Sequence, residues 1–158
     1  MIRGLVVALM LAMTLVMPGA VGAQTVAQPD LPKEALTIVT RGGVRHEFQV
    51  EMAVTEAQQT VGLMFRTSVP DAGGMLFDWG TPRDSSMWMR NTVSALDMLF
   101  INQDGTIRRI AENTVPESLA IIESGGPVRA TLELAAGTAR RLNLRVGDTV
   151  QQRIFVPR

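Results

Sequence analysis

The fold of this chain is limited chiefly by its many short runs of strand-forming residues, which glycine-containing turns separate. Near the start of the domain, Leu36–Thr40 and Arg45–Val50 flank Arg41-Gly42-Gly43. Farther along, the turn Asp104-Gly105 leads into the run Thr106–Ala111. Glycine allows the backbone conformations that tight hairpin turns need, so both places predict antiparallel strand pairs.

Further strands and two short helices are predicted over the rest of the domain. Val128–Leu134 alternates apolar and polar residues, which predicts a half-buried strand, and a last strand is predicted over Thr149–Val156. Thr55-Glu56-Ala57-Gln58 has the form of a capping box and predicts a helix ending near Arg66. Gly137-Thr138 begins a second helix. We therefore expect a β-rich α+β fold, with a mainly antiparallel, barrel-like sheet of about eight short strands and two short flanking helices.

The centre of the chain contains two strand-like runs, Ser86–Thr92 and Leu96–Asn102. A hairpin centred on Ser94 would join them and place Asn91 beside Asp97 on one face, because directly opposed residues share a face. Both faces of that hairpin would be largely apolar. We therefore expect it to lie in the middle of the sheet, covered on both sides.

The first residues predict export. Arg3 precedes an apolar run of 13 residues, Leu5–Met17, and Pro18 separates that run from the small residues Ala20–Ala23. This order is typical of a secretory signal peptide cleaved after Ala23, which predicts a periplasmic or secreted protein. The run is short for a membrane-spanning helix, which needs about 20 apolar residues. An uncleaved leader that stays as a membrane anchor is the alternative.

The sequence after the leader predicts one domain. Residues 24–34 are polar, include Pro29 and Pro32, and show no periodicity, which indicates a flexible linker. Residues 35–158 contain no repeat or low-complexity break and form a single globular domain in this interpretation.

Composition excludes several classes of function. The chain has 15 basic and 15 acidic residues, so no basic surface for nucleic acid is indicated. It has no cysteine, which excludes thiolate catalysis and thiolate metal ligands. His46 is the only histidine, so a histidine-rich metal site is excluded as well. We therefore predict no metal and no cofactor.

Six short motifs occur in a fixed order through the domain. They are Gly62-Leu63-Met64-Phe65-Arg66, Gly74-Met75-Leu76-Phe77, Trp88-Met89-Arg90-Asn91-Thr92, Leu96-Asp97, Ser124-Gly125-Gly126-Pro127 and Gly147-Asp148. Together they resemble the domain of unknown function 192 family of small, often exported prokaryotic proteins, from about Leu36 to Val156. The chain departs from the family pattern at Met87, Arg90 and Ala95. The resemblance implies a compact β-rich fold with flanking helices and brings no established activity.

Asp97 is the main candidate for a chemical role. It shares a strand face with Leu99 and Ile101, so its carboxyl group should be partly desolvated. Desolvation raises a carboxyl pKa and would suit Asp97 to general acid or base catalysis. In the alternative interpretation, Asp97 is structural and accepts hydrogen bonds from backbone amides or from Asn91.

Four further positions are candidate ligand contacts, each with a structural alternative. Asn91 could orient a ligand or satisfy backbone groups at the strand end, and Trp88 could stack on a sugar or planar ligand or pack in the core. Arg66 could bind an anion or form a structural salt bridge. Ser124 and Gly125 could present backbone amides to an anion, or form a turn into the next strand.

These residues support three hypotheses about function. The first is a periplasmic or secreted module that binds a small molecule, with Arg66, Trp88, Asn91, Asp97, Ser124 and Gly125 around its site. The second is a hydrolase or lyase that uses Asp97 as general acid or base, with Glu112, Glu123 or Arg66 as a second titratable group. The third is an envelope-associated structural or interaction domain. The expected partner is thus a small molecule or an envelope component, and a membrane only through an uncleaved leader.

Overall fold

The computed structural model describes residues 25–155, which contain nine strands and two helices. The elements in chain order are β1 Lys33–Val39, β2 Arg45–Ala53, α1 Glu56–Val61, β3 Gly73–Arg83, β4 Ser86–Met87, β5 Leu96–Ile101, β6 Ile107–Ala111, β7 Ile122–Glu123, β8 Val128–Ala135, α2 Thr138–Arg141 and β9 Thr149–Gln151. The predicted signal peptide lies outside the described residues. No helix between residues 25 and 155 is both long and apolar enough to span a membrane.

Seven strands form one curled sheet in the order β6-β5-β8-β3-β2-β1-β9, and β4 pairs with β7 separately. The curled sheet resembles a half-barrel. A bridge between Thr106 and Thr149 connects its two ends, at β6 and β9. The β-rich α+β prediction is confirmed. One pair, β2 with β3, is parallel, in contrast to an all-antiparallel sheet. The segment with α1 is the crossover that a parallel pair requires.

The locally encoded elements form where the sequence predicts them. β1 and β2 are the first hairpin, and β5 and β6 pair across the turn Asp104-Gly105. Thr55 caps α1, and the Gln58 side chain completes the capping box. The helix ends at Val61, however, five residues before the predicted end at Arg66.

The prediction of a central hairpin is wrong. Ser86–Met87 pairs with Ile122–Glu123, whereas Leu96–Ile101 lies between β6 and β8. The backbone turns before the second run begins: the Thr92 amide donates to the Met89 carbonyl (3.0 Å), and Asn91 has a φ of 55°. A left-handed residue interrupts an extended strand, so the first run cannot continue into a hairpin.

The half-buried prediction for β8 is also wrong, because every residue from Val128 to Leu134 is buried. β8 lies between β3 and β5, and apolar clusters cover both faces of the sheet. One cluster includes Leu132 and Leu134, and the other contacts the opposite face around Phe77 and Phe100. A central strand covered on both sides buries its polar positions too.

Residues of the predicted flexible linker are bound to the body of the domain. The Gln28 side chain donates to the carbonyls of Gln58 (3.1 Å) and Gly62 (2.9 Å). The Leu31 amide donates to the Glu51 carboxylate at 2.8 Å. These bonds attach the segment to α1 and β2 before β1 begins.

Candidate functional site

A cleft of about 530 Å³ opens above the sheet face that carries Phe77 and Phe100. α1, β3, β4 and β8 each contribute residues to its lining. Its volume falls within the range typical of small-molecule sites, about 300–1,000 Å³. The cleft is therefore the candidate site, and its chemistry depends on the polar groups that reach it.

Glu133, on β8, lines this cleft and is 4% exposed. Its neighbours across the sheet are Met75 on β3 and Met98 on β5, both fully buried. Among residues 25–155, its carboxyl group makes no hydrogen bond or ion pair. Burial raises the pKa of Glu133 to about 8, because no neighbouring charge offsets the loss of hydration. The group is therefore mostly protonated at pH 7.

The two other polar side chains of β8 have partners. Arg129 forms an ion pair with Asp78 of β3. Thr131 accepts a hydrogen bond from the Trp79 indole at 3.2 Å. Among residues 25–155, the Glu133 carboxyl group has no such partner, and it lines the cleft.

Aromatic and thioether side chains form much of the cleft wall. Trp79 and Trp88 contribute indole rings, and Met64 and Met87 contribute flexible sulfur-containing side chains. Trp88 is 42% exposed, so much of its ring remains accessible to a ligand. The cleft thus combines aromatic and thioether side chains with polar ones, and two of the polar residues, Thr92 and Glu133, are buried.

Sequence reasoning did not identify Glu133, because an acidic residue in an alternating strand ordinarily faces solvent. Of the residues that it did propose, Trp88 lines the cleft. Asn91 lies in the turn between Trp88 and β5, where its carbonyl accepts from the Phe65 amide at 2.8 Å. Its side-chain amide contacts the Met64 sulfur at 3.9 Å, beside the cleft.

Asp97 lies on the other face of the sheet from Glu133, because it pairs with Leu134. Its side chain is fully buried, and its two oxygens accept from the backbone amides of Asn113 and Ala139, each at 2.8 Å. These contacts match the structural alternative for Asp97. The expected Asn91–Asp97 pair is not formed, because the hairpin that would create it is absent.

Ser124 and Gly125 form a separate turn near β6. The Ser124 hydroxyl accepts from the Ser85 amide at 2.9 Å and donates to the Gly126 carbonyl at 2.8 Å. The Gly125 carbonyl accepts from Arg108, with its closest contact at 2.6 Å. The structure thus shows these groups bound within the protein, as the turn alternative predicts.

Arg66 forms salt bridges with Glu51 (3.1 Å) and Asp30 (2.9 Å), which attach the N-terminal segment to the domain. We expect Arg66→Met to lower the free energy of unfolding by about 2 kcal/mol, because it leaves the buried Glu51 carboxylate without its cation. Urea unfolding measures this change. The matched control is Arg153→Met, which breaks a more exposed bridge and should cost less than about 1 kcal/mol. Equal losses in the two variants would contradict this prediction.

No group of three or more histidine, cysteine or carboxylate side chains suited to a metal ion occurs among residues 25–155. His46, the only histidine in the sequence, lies on β2 opposite Ile38. Its buried Nε2 atom has no hydrogen-bond partner in the described part of the chain.

The curled sheet and the cleft over a buried carboxyl group define a small β-rich α+β domain with a candidate ligand site. The chain belongs to the domain of unknown function 192 family, described as an uncharacterized ACR, whose model matches residues 37–152. This confirms the resemblance found in the sequence motifs. No curated protein matches the chain.

Two solved structures are similar to it. A proposed transcription regulator from Sinorhizobium meliloti 1021 is 47% identical, with a TM-score of 0.76 over 79% of this chain and 97% of that one. A protein of unknown function from Novosphingobium aromaticivorans DSM 12444 is 38% identical, with a TM-score of 0.75 over 83% of this chain and 94% of that one.

Proposed function

We propose that this protein is an exported small-molecule-binding module whose site is the cleft above Glu133. The observation that carries the proposal is the buried carboxyl group, which lines an open cleft and has no partner among the described residues. Burial of a polar group without a hydrogen bond costs free energy, and a ligand that bonds to it recovers that cost. Export to the periplasm or medium is proposed from the leader sequence alone.

The contacts of Asp97 favour binding over a hydrolase or lyase reaction at that residue. A general acid or base must reach the substrate directly or through one water molecule. Both Asp97 oxygens instead accept backbone amides inside the protein. The equal numbers of acidic and basic residues give no support to nucleic-acid binding by this chain, although the Sinorhizobium meliloti relative is described as a proposed transcription regulator.

A plugged cleft tests the proposal. Thr60 lies at the exposed edge of the cleft, and Thr60→Trp places a large ring there. Thr67 is also exposed but lies outside the cleft, so Thr67→Trp is the matched control. The three proteins are screened by thermal shift against aromatic amines, aromatic alcohols, sugars, carboxylates and short peptides.

A compound in the screen should raise the Tm of the wild type and of Thr67→Trp, but not that of Thr60→Trp. A ligand that binds only the folded state, at a concentration 100 times its Kd, stabilises a protein by about 2.7 kcal/mol, which the screen readily detects. The absence of any shift in the wild type, or the same shift in the plugged variant, would overturn the proposal.

A further inference from the structure

The chemical class of the ligand can be inferred from the groups around the Glu133 carboxyl, and this inference rests on the proposed function. We propose that the cleft binds an organic cation, an amine or guanidine compound with an apolar body, whose charged nitrogen donates hydrogen bonds to Glu133.

No arginine neutralises Glu133. Arg129, on the same strand, is engaged by Asp78 of β3. Arg83, also on β3, lines the cleft, but its guanidinium stacks 4.2 Å from the centre of the Trp79 ring. Burial alone accounts for the raised pKa of Glu133, so neither arginine stabilises its charged form. The positive charge that would do so has to come from a ligand.

The other charged groups on the elements around Glu133 do not supply a positive charge to its carboxylate. Glu56 of α1 lines the same cleft and carries the same sign as an ionised Glu133. Asp97 of β5 lies on the opposite face of the sheet. Arg90, which follows β4, stacks 5.4 Å from the centre of the Trp88 ring. With Glu133 protonated, the charges of Glu56 and Arg83 balance among the lining residues, and ionisation of Glu133 leaves one negative charge that a bound cation neutralises.

The cleft wall suits the body of such a compound. Trp88 is partly exposed, and its ring can pack against the apolar body of the compound. Met64 and Met87 are polarisable and flexible, so they can adapt to alkyl or aryl groups. Leu63 adds a further apolar surface. The wall and the carboxyl group together match an amphiphilic cation.

Binding of a cation should release a proton. At pH 7 the Glu133 carboxyl group is mostly protonated, because its pKa is about 8. The bound cation stabilises the carboxylate, so the O–H bond breaks and the proton leaves to the buffer while the carboxylate accepts from the ligand nitrogen. The affinity should therefore increase roughly tenfold for each pH unit from pH 6 towards 8, and level off above that range.

Three compounds with the same aromatic body test this inference: phenethylamine, 2-phenylethanol and 3-phenylpropanoate. Isothermal titration calorimetry at pH 7, in buffers of different ionisation enthalpy, counts the protons released. We expect the wild type to bind phenethylamine more tightly than the other two and to release about nine-tenths of a proton. In Glu133→Gln, phenethylamine affinity should fall at least tenfold and proton release should vanish, while affinity for the uncharged 2-phenylethanol should change much less.

The outcomes separate the two proposals. Binding of 2-phenylethanol or 3-phenylpropanoate but not of phenethylamine would overturn the cation inference and leave the cleft as a ligand site. Phenethylamine binding without proton release, or with full affinity in Glu133→Gln, would also overturn it. If no compound binds here and none shifts the wild-type Tm in the thermal screen, both proposals fail. A urea unfolding curve for Glu133→Gln establishes that the variant is folded.

Discussion

The variant Glu133→Gln should be more stable than the wild type at high pH and equally stable at low pH. Glutamine resembles the protonated glutamate in shape and in hydrogen bonding, but it never acquires a charge. The difference between the two proteins therefore reports the cost of ionising one buried carboxyl group. Since Glu133 is almost fully buried, this cost is large.

The direction of the pH effect follows from the raised pKa. Between the ordinary glutamate pKa of 4.5 and about 8, the folded protein keeps the Glu133 proton while the unfolded chain loses it. The native state binds more protons over this range, so wild-type stability falls as pH rises. Below this range both states are protonated, and above it both are ionised. The advantage of Glu133→Gln should thus grow from near zero at pH 4.5 to a plateau on the order of 5 kcal/mol above pH 8.

Urea unfolding at pH 4.5, 6, 7.5 and 9 measures this difference, because every other titrating group is common to both proteins. Glu47→Gln is the matched control: Glu47 is exposed on β2, and its replacement should change stability by less than about 0.5 kcal/mol at each pH. A Glu133→Gln advantage that does not vary with pH would show that the carboxyl group is not held protonated. If Glu133→Gln were less stable than the wild type at pH 9, this too would show that the carboxyl group is not held protonated.

The parts of the fold that the sequence predicts correctly depend on neighbouring residues. Asp104-Gly105 specifies the turn of the β5–β6 hairpin, and Thr55 with Gln58 specifies the start of α1. The chemistry of such signals acts within a few residues, so it is visible in the sequence. The predicted helix end near Arg66 is wrong, because α1 stops at Val61 and the backbone adopts a positive φ at Gly62.

The features that the sequence does not reveal depend on long-range pairing. Ser86–Met87 and Leu96–Ile101 both have strand-like sequences, but the first pairs with β7 and the second pairs on one side with β8, each more than 25 residues away. Glu133 is a polar residue in an alternating strand, and only the position of β8 between β3 and β5 shows that it is buried. The candidate site was missed for this reason, although Trp88 at its edge was identified.

The variant Asp97→Asn should destabilise the protein by about 3 kcal/mol. The carboxylate is fully buried and accepts from two backbone amides, that of Asn113 in the segment between β6 and β7 and that of Ala139 in α2. Asparagine can accept from one of them with its oxygen, but its NH₂ group then faces the other amide, donor against donor. A lost charge-assisted hydrogen bond costs about 1.5–3 kcal/mol, and the unsatisfied buried amide adds to it.

Urea unfolding measures this loss, and hydrogen exchange locates it: the amides of Asn113 and Ala139 should lose protection before those of the central strands. Asp71→Asn is the matched control, since Asp71 is exposed and its replacement should cost less than about 0.5 kcal/mol. Asp148→Asn provides a positive comparison, because that buried carboxylate also accepts from two amides, those of Arg41 (2.9 Å) and Arg145 (2.8 Å). The prediction is contradicted if Asp97→Asn is as stable as the wild type while Asp148→Asn loses stability. Asp97 would then not be a structural residue, and it would again be a candidate for catalysis.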